Sequence, residues 1–210
     1  MKKLLLTTAL LAAVISTSSA KFEGTYVKGD VVYSATSMTF KNKGTNTDAK
    51  ATKLKGFGGV ATVGYGDACG SIYLGGEAYL GKIFANKKKT TRTQTTKTNR
   101  GLNAGAAGRI GGHINDTTLA YFRLGLDYAR YQLSVTNTDP VFNLKKNFSA
   151  WSVVPGVGLD MMVAQNVFVT AGVDYAIAFK SSVSSALKSQ VGCAKKPQSL
   201  TFRLGAGYQF

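Results

Sequence analysis

Ser199-Leu-Thr-Phe-Arg-Leu-Gly-Ala-Gly-Tyr-Gln-Phe210 alternates without a break. Leu200, Phe202, Leu204, Ala206, Tyr208 and Phe210 are apolar, and Thr201, Arg203, Gly205, Gly207 and Gln209 between them are polar or small. A period of two sets the first group on one face of a β-strand and the second on the other. Two environments suit such a strand. A soluble β-sandwich hides the apolar face in its core. A membrane barrel turns that face to lipid and keeps the polar face for a closed interior, where Arg203 would then lie.

The rest of the chain repeats this pattern. Upstream, alternating stretches run over about 25–35, 56–66, 71–85, 100–113, 118–131, 149–163 and 167–180. Three short turns, Asp67-Ala-Cys-Gly70, Asn115-Asp116 and Gln165-Asn166, join some of them. Four long polar stretches, 41–55, 86–99, 132–148 and 181–198, join the others. Short and long connections alternate, the strand count is even, and both termini fall at the short-turn end. That is the plan of an all-β fold: an eight-stranded antiparallel up-and-down transmembrane β-barrel. Each strand supplies the roughly 9–11 residues needed to cross a bilayer at a tilt.

Three checks separate this barrel from the sandwich. First, the ionisable residues of the strands collect on the polar face: Lys28, Asp30, Glu77, Arg109, Arg123, Asp127, Asp160, Asp174 and Arg203. Four cations and five anions can pair and hydrate inside a barrel, whereas a sandwich would have to bury or misplace them. Second, the aromatics of the apolar face cluster near strand ends. Tyr33, Phe57, Phe84, Tyr128, Trp151 and Phe179 lie toward the long loops; Tyr65, Tyr208 and Phe210 lie toward the turns. Two such girdles are expected at bilayer boundaries. Third, closure removes the unpaired edges that an all-β chain would otherwise expose. Lys82 and Arg130 fall on the lipid side near the loop end, where long cations can snorkel to the headgroups.

The N-terminus specifies export. Met1-Lys2-Lys3, the apolar run 4–15 and Ser16-Thr-Ser-Ser-Ala20 form the charged, apolar and small-residue parts of a cleaved signal peptide, 1–20, leaving 21–210 as one barrel domain. No Cys follows the cleavage site for a lipid anchor. Val153–Ala164, the most apolar later run, is interrupted by Pro155 and Asp160, so no spanning helix is expected and a membrane form must be a barrel.

The chain resembles the opacity-type and OmpA-type outer-membrane β-barrel family over its whole mature length. The resemblance rests on the eight-strand plan, on Pro155-Gly-Val-Gly-Leu159 followed by a short turn and 167–175, and on the terminal Gly205-Ala-Gly-Tyr-Gln-Phe210. It implies an integral protein of the bacterial outer membrane with both termini periplasmic. It also implies that Tyr208 and Phe210 form the C-terminal signal read by the outer-membrane assembly machinery.

Charge points to a partner class. After removal of the leader the chain holds 24 basic and 10 acidic residues. Sixteen of the basic residues, counting Arg100, fall in the long loops beside two acids, Asp48 and Asp139. Lys87, Lys88, Lys89, Arg92 and Lys97 form the densest patch. An exposed cationic crown attracts anions: lipopolysaccharide in the outer leaflet, or acidic glycans on a host surface. Nucleic acid is disfavoured, because no base-reading motif or stacking platform occurs. The Gly-x-Gly pairs join no strand to a helix and are not phosphate loops.

No catalytic residues, metal site or cofactor is expected. The sole histidine, His113, lies at the turn end, away from any loop-end nucleophile, which argues against a lipid-modifying enzyme. Cys69 in a turn and Cys193 in a loop should stand at opposite ends, too far apart to bridge. The competing binding-free reading is a small porin. Tyr73, Tyr79, Tyr121, Arg109 and Arg203 are expected to fill an eight-strand interior and oppose it.

Overall fold

The computed structural model describes residues 22–41, 48–91, 94–137, 143–182 and 197–210. Eight strands follow one another: β1 (Gly24–Lys41), β2 (Asp48–Cys69), β3 (Ile72–Thr91), β4 (Gln94–Asn115), β5 (Thr118–Asn137), β6 (Asn143–Met162), β7 (Val167–Ser182) and β8 (Gln198–Gln209). Each pairs antiparallel with its neighbours, and β8 closes on β1, giving a closed barrel in sequence order. The closing seam runs from Tyr26↔Gln209 to Ser37↔Gln198 and places Val31 opposite Leu204. Phe210 adds a backbone bond, its N–H donating to Thr25 O at 2.9 Å. The signal-peptide reading of residues 1–20 lies outside the described residues.

The alternation translates into two faces. Val31, Phe57, Phe84 and Leu204 point out, with Leu204 67% exposed. Tyr26, Tyr73, Leu119 and Phe168 point in and are buried. On the outer face the register lines Phe202, Tyr33, Phe57 and Phe84 in one row across four strands. Tyr33 and Phe57 touch with ring centroids 5.0 Å apart, and Tyr128 and Trp151 at 5.1 Å continue the row on β5 and β6. Lys82 lies two residues below Phe84 and reaches up to it, Nζ 5.2 Å from the ring centroid. Arg130 sits over Tyr128 at 5.8 Å.

The interior has three layers. At the turn end Phe22, Tyr26, Tyr73, Leu119, Tyr121, Met162 and Phe168 form an apolar plug. At the loop end Val32, Leu54, Ile83, Ala85, Ala129, Tyr131, Ala150 and Ala178 form an apolar collar. Charged residues fill the space between. Glycine opposite the large rings makes this filling possible: a Cβ on Gly66 would stand 1.9 Å from Tyr73 Oη. Gly70 is needed for another reason, because its φ of 65° closes the tight β2–β3 turn in the left-handed region.

The strands are longer than the alternation implies. Stretches 41–55 and 86–99, read as loops, are strand over most of their length, with Lys41 paired to Asp48 and Thr91 to Gln94. Every residue of 86–99 is polar, so no apolar residue is there to mark an inward or outward face. The β-branched threonines of 90–98 are suited to a strand ladder.

Candidate functional site

The nine charges expected inside, Lys28, Asp30, Glu77, Arg109, Arg123, Asp127, Asp160, Asp174 and Arg203, are all buried in the lumen. Eight of them form one chain of alternating sign. Arg109 binds Asp160 through Nη2 and lies 3.8 Å from Glu77. Glu77 also takes Lys28 at 3.3 Å and the Nε of Arg123. Arg123 continues to Asp174 at 3.4 Å, Asp174 to Arg203 at 2.8 Å, and Arg203 to Asp30 at 4.0 Å. Four cations meet four anions, so desolvation is offset by Coulomb attraction in every direction.

Aromatic rings complete the packing. Arg109 stacks on Tyr121 at 3.6 Å, with Tyr26 and Tyr73 at 5.4 and 5.6 Å. Its Nη1 donates to Tyr26 Oη at 2.8 Å, and that hydroxyl donates to Glu77 at 3.1 Å. Arg123 stacks on Tyr79 at 4.7 Å. These cation–π contacts tie the guanidinium planes to three walls of the barrel. Above the chain a lumenal cavity of about 50 Å³ remains, bounded by Arg100, Asn103, Arg123, Asp127, Asp174 and Arg203 among others.

Arg100 is a correction to the sequence reading. Counted there with the loop cations, it is buried in the lumen. Its Nη1 donates to Ser34 at 2.9 Å, Thr36 at 3.1 Å and Ser199 at 2.9 Å. Residue parity would turn it outward, since Asn103, Ala107 and Arg109 are the inward positions of β4. A register shift between Arg100 and Asn103 reverses that parity. Among the described residues the lumen therefore holds five cations and five anions, and the loop segments keep fifteen basic residues of the sequence.

The remaining candidates lie elsewhere. Lys87, Lys88, Lys89 and Lys97 belong to the β3–β4 ribbon, where Lys87 pairs with Thr98 and Lys88 with Lys97; Arg92 lies outside the described residues. Lys53, Lys55, Lys82 and Arg130 are exposed on the outer face at the loop end. Tyr208 and Phe210 are exposed on the outer face at the turn end, ring centroids 5.1 Å apart. His113 is exposed near the turn end with Phe22 at 5.9 Å. Cys69 is free and exposed, and its distance to Cys193 falls outside the described residues. Among the described residues no group of His, Cys, Asp or Glu could hold a metal ion.

Comparison with known proteins follows the same architecture. No curated protein matches the chain. Among solved structures, neisserial surface protein A is similar at 18% identity and a TM-score of 0.52, covering 90% of this chain and 98% of that one. A major outer membrane protein of Thermus thermophilus is similar at 14% identity and 0.51, covering 88% and 99%. The attachment invasion locus protein of Yersinia pestis is similar at 16% identity and 0.49, covering 90% and 99%. The family model for the outer membrane protein β-barrel domain matches residues 4–210, so the chain belongs to that family and is an integral outer-membrane protein.

Proposed function

We propose that this barrel is a surface-interaction protein whose cationic crown contacts anionic groups outside the cell, either lipopolysaccharide phosphates or acidic host glycans. In this orientation the short turns and both termini face the periplasm. The observation that carries the reading is where charge of each sign resides. Five acids lie in the lumen beside five cations, and Glu23, Asp67 and Asp116 lie at the turn end. Only Asp48 and Asp139 accompany the fifteen basic residues of the loop segments. The surplus positive charge is thus concentrated at one end rather than spread over the molecule. Lys53, Lys55, Lys82 and Arg130 extend it down to the aromatic row, where lipid phosphates sit.

Such a field raises the local concentration of polyanions and weakens steeply with salt. The test is retention of the folded protein, in detergent micelles, on immobilised heparin and on vesicles containing lipopolysaccharide. Replacing Lys87, Lys88 and Lys89 together by Gln should lower the salt needed for elution. Retention of the wild type at no higher salt than a neutral barrel, or no change in the triple variant, would remove the proposal. Loss on only one of the two supports identifies the partner.

A further inference from the structure

Beyond the aromatic row the barrel wall opens between β2 and β3. β2 and β3 are paired from Cys69↔Ile72 to Gly56↔Ala85, and there their ladder stops. Neither strand ends there. β2 extends from Gly56 back to Asp48, held only by β1 out to Lys41↔Asp48. β3 extends from Ala85 to Thr91, held only by β4 out to Thr91↔Gln94. On the far side β4 carries β5 out to Gln94↔Asn137, and β5 carries β6 out to Thr136↔Asn143. At ~3.3 Å per residue the β3 extension runs roughly 20 Å past Phe84. Among the described residues, then, a four-stranded sheet stands beside a two-stranded ribbon, and two strand edges face one gap.

A free edge is a row of unmet N–H and C=O groups. The two that face this gap read Asp48-Ala-Lys-Ala-Thr-Lys-Leu-Lys55 and Asn86-Lys-Lys-Lys-Thr-Thr91, six lysines against one acid. Lysine at an edge opposes pairing with a second copy, because that copy brings the same charge. The same charge favours a strand of opposite sign.

We infer that this open seam docks an extended, acid-rich polypeptide segment, added as a strand on the β3 edge. β3 is the better platform because three further strands brace it, whereas β2 has only β1. Backbone hydrogen bonds hold the segment, and the flanking lysines select its charge. The inference shares the crown's charge with the function proposed above but requires a backbone ladder, which polyanion attraction does not.

The experiment uses the full mature chain folded in detergent micelles and four probes. These are a labelled Val-Glu-Val-Glu-Val-Glu-Val peptide, the same peptide N-methylated at alternate amides, its Glu-to-Lys counterpart, and heparin. Affinity is read by fluorescence anisotropy and location by backbone amide shifts. The acidic peptide should bind and shift amides in 86–91, N-methylation should weaken it roughly 10-fold or more, and the lysine peptide should not bind. K87E/K88E/K89E, checked for folding by its gel migration, should lose the acidic peptide. No binding of the acidic peptide, equal binding of the N-methylated one, or shifts confined to other strands would each overturn the inference. Heparin separates the two ideas. Peptide binding without retention on either heparin or lipopolysaccharide vesicles sinks only the polyanion reading, and heparin binding without a methylation effect sinks only this one.

Discussion

Glu77 is the node on which the lumenal network can be tested. Its side chain is 1% exposed and touches Lys28 at 3.3 Å, Arg109 at 3.8 Å and Arg123. Glu77→Gln keeps the shape and the bond from Tyr26 but removes the charge. Arg109 still has Asp160, and Arg123 still has Asp174. Lys28 has no second carboxylate within ion-pair distance among the described residues, so the cost falls on it. Stranding a buried charge in this way destabilises by about 3–5 kcal/mol. With a urea slope of about 2–3 kcal/mol per M, the unfolding midpoint should fall by roughly 1–2.5 M. Lys28→Met added to Glu77→Gln restores a neutral lumen and should recover about 2 kcal/mol or more, a coupling that a double-mutant cycle isolates. The assay is reversible urea unfolding in detergent or lipid vesicles, followed by tryptophan fluorescence and heat-modifiable migration. A Glu77→Gln loss below about 1 kcal/mol would refute the reasoning, and so would a double variant no more stable than the single.

Other predictions address the two faces and the ends. Leu204→Arg, at a mid-strand position facing lipid, should cost about 2–4 kcal/mol of folding into bilayers; an unchanged folding free energy would contradict the outward face. Gly66→Ala should cost about 1–3 kcal/mol because the new Cβ meets the buried Tyr73 ring. Gly76→Ala meets open space and should be neutral or stabilise by up to about 1 kcal/mol, since it only restricts the unfolded chain; thermal unfolding of the pair checks both. Deletion of Phe210 should lower the amount of protein in the outer membrane of expressing cells while leaving refolding in detergent intact, and equal amounts of both proteins in the membrane fraction would count against an assembly signal there. In planar bilayers the protein should show no steady conductance, because apolar layers close both ends of the lumen.

Much of this molecule is written in a period of two. Wherever lipid lies on one side and packed charge on the other, a residue's parity along the strand states its face. Leu204, Arg203 and Asp174 are thus readable without coordinates. The reading fails where the constraint that produces it is missing. At 86–99 every residue is polar, so strand leaves no alternating trace and the stretch reads as loop. At Arg100 one extra residue reverses parity, and no local residue type announces it.

Partner choice is the other thing that parity leaves open. Alternation states that Glu77 points inward; it does not say that β1, β4 and β5 bring Lys28, Arg109 and Arg123 to it. Those contacts cross the lumen and depend on how far each strand is staggered against the next, a property of the closed sheet. The sequence alone determined an eight-strand wall, its lipid face and the sign of its crown, because each is set by local pattern against a solvent boundary. Only the tertiary structure decided the order of the ion chain, the inward turn of Arg100 and the point where β2 and β3 part. Each of these is settled by the register between strands, and register is a relation between residues distant in the chain.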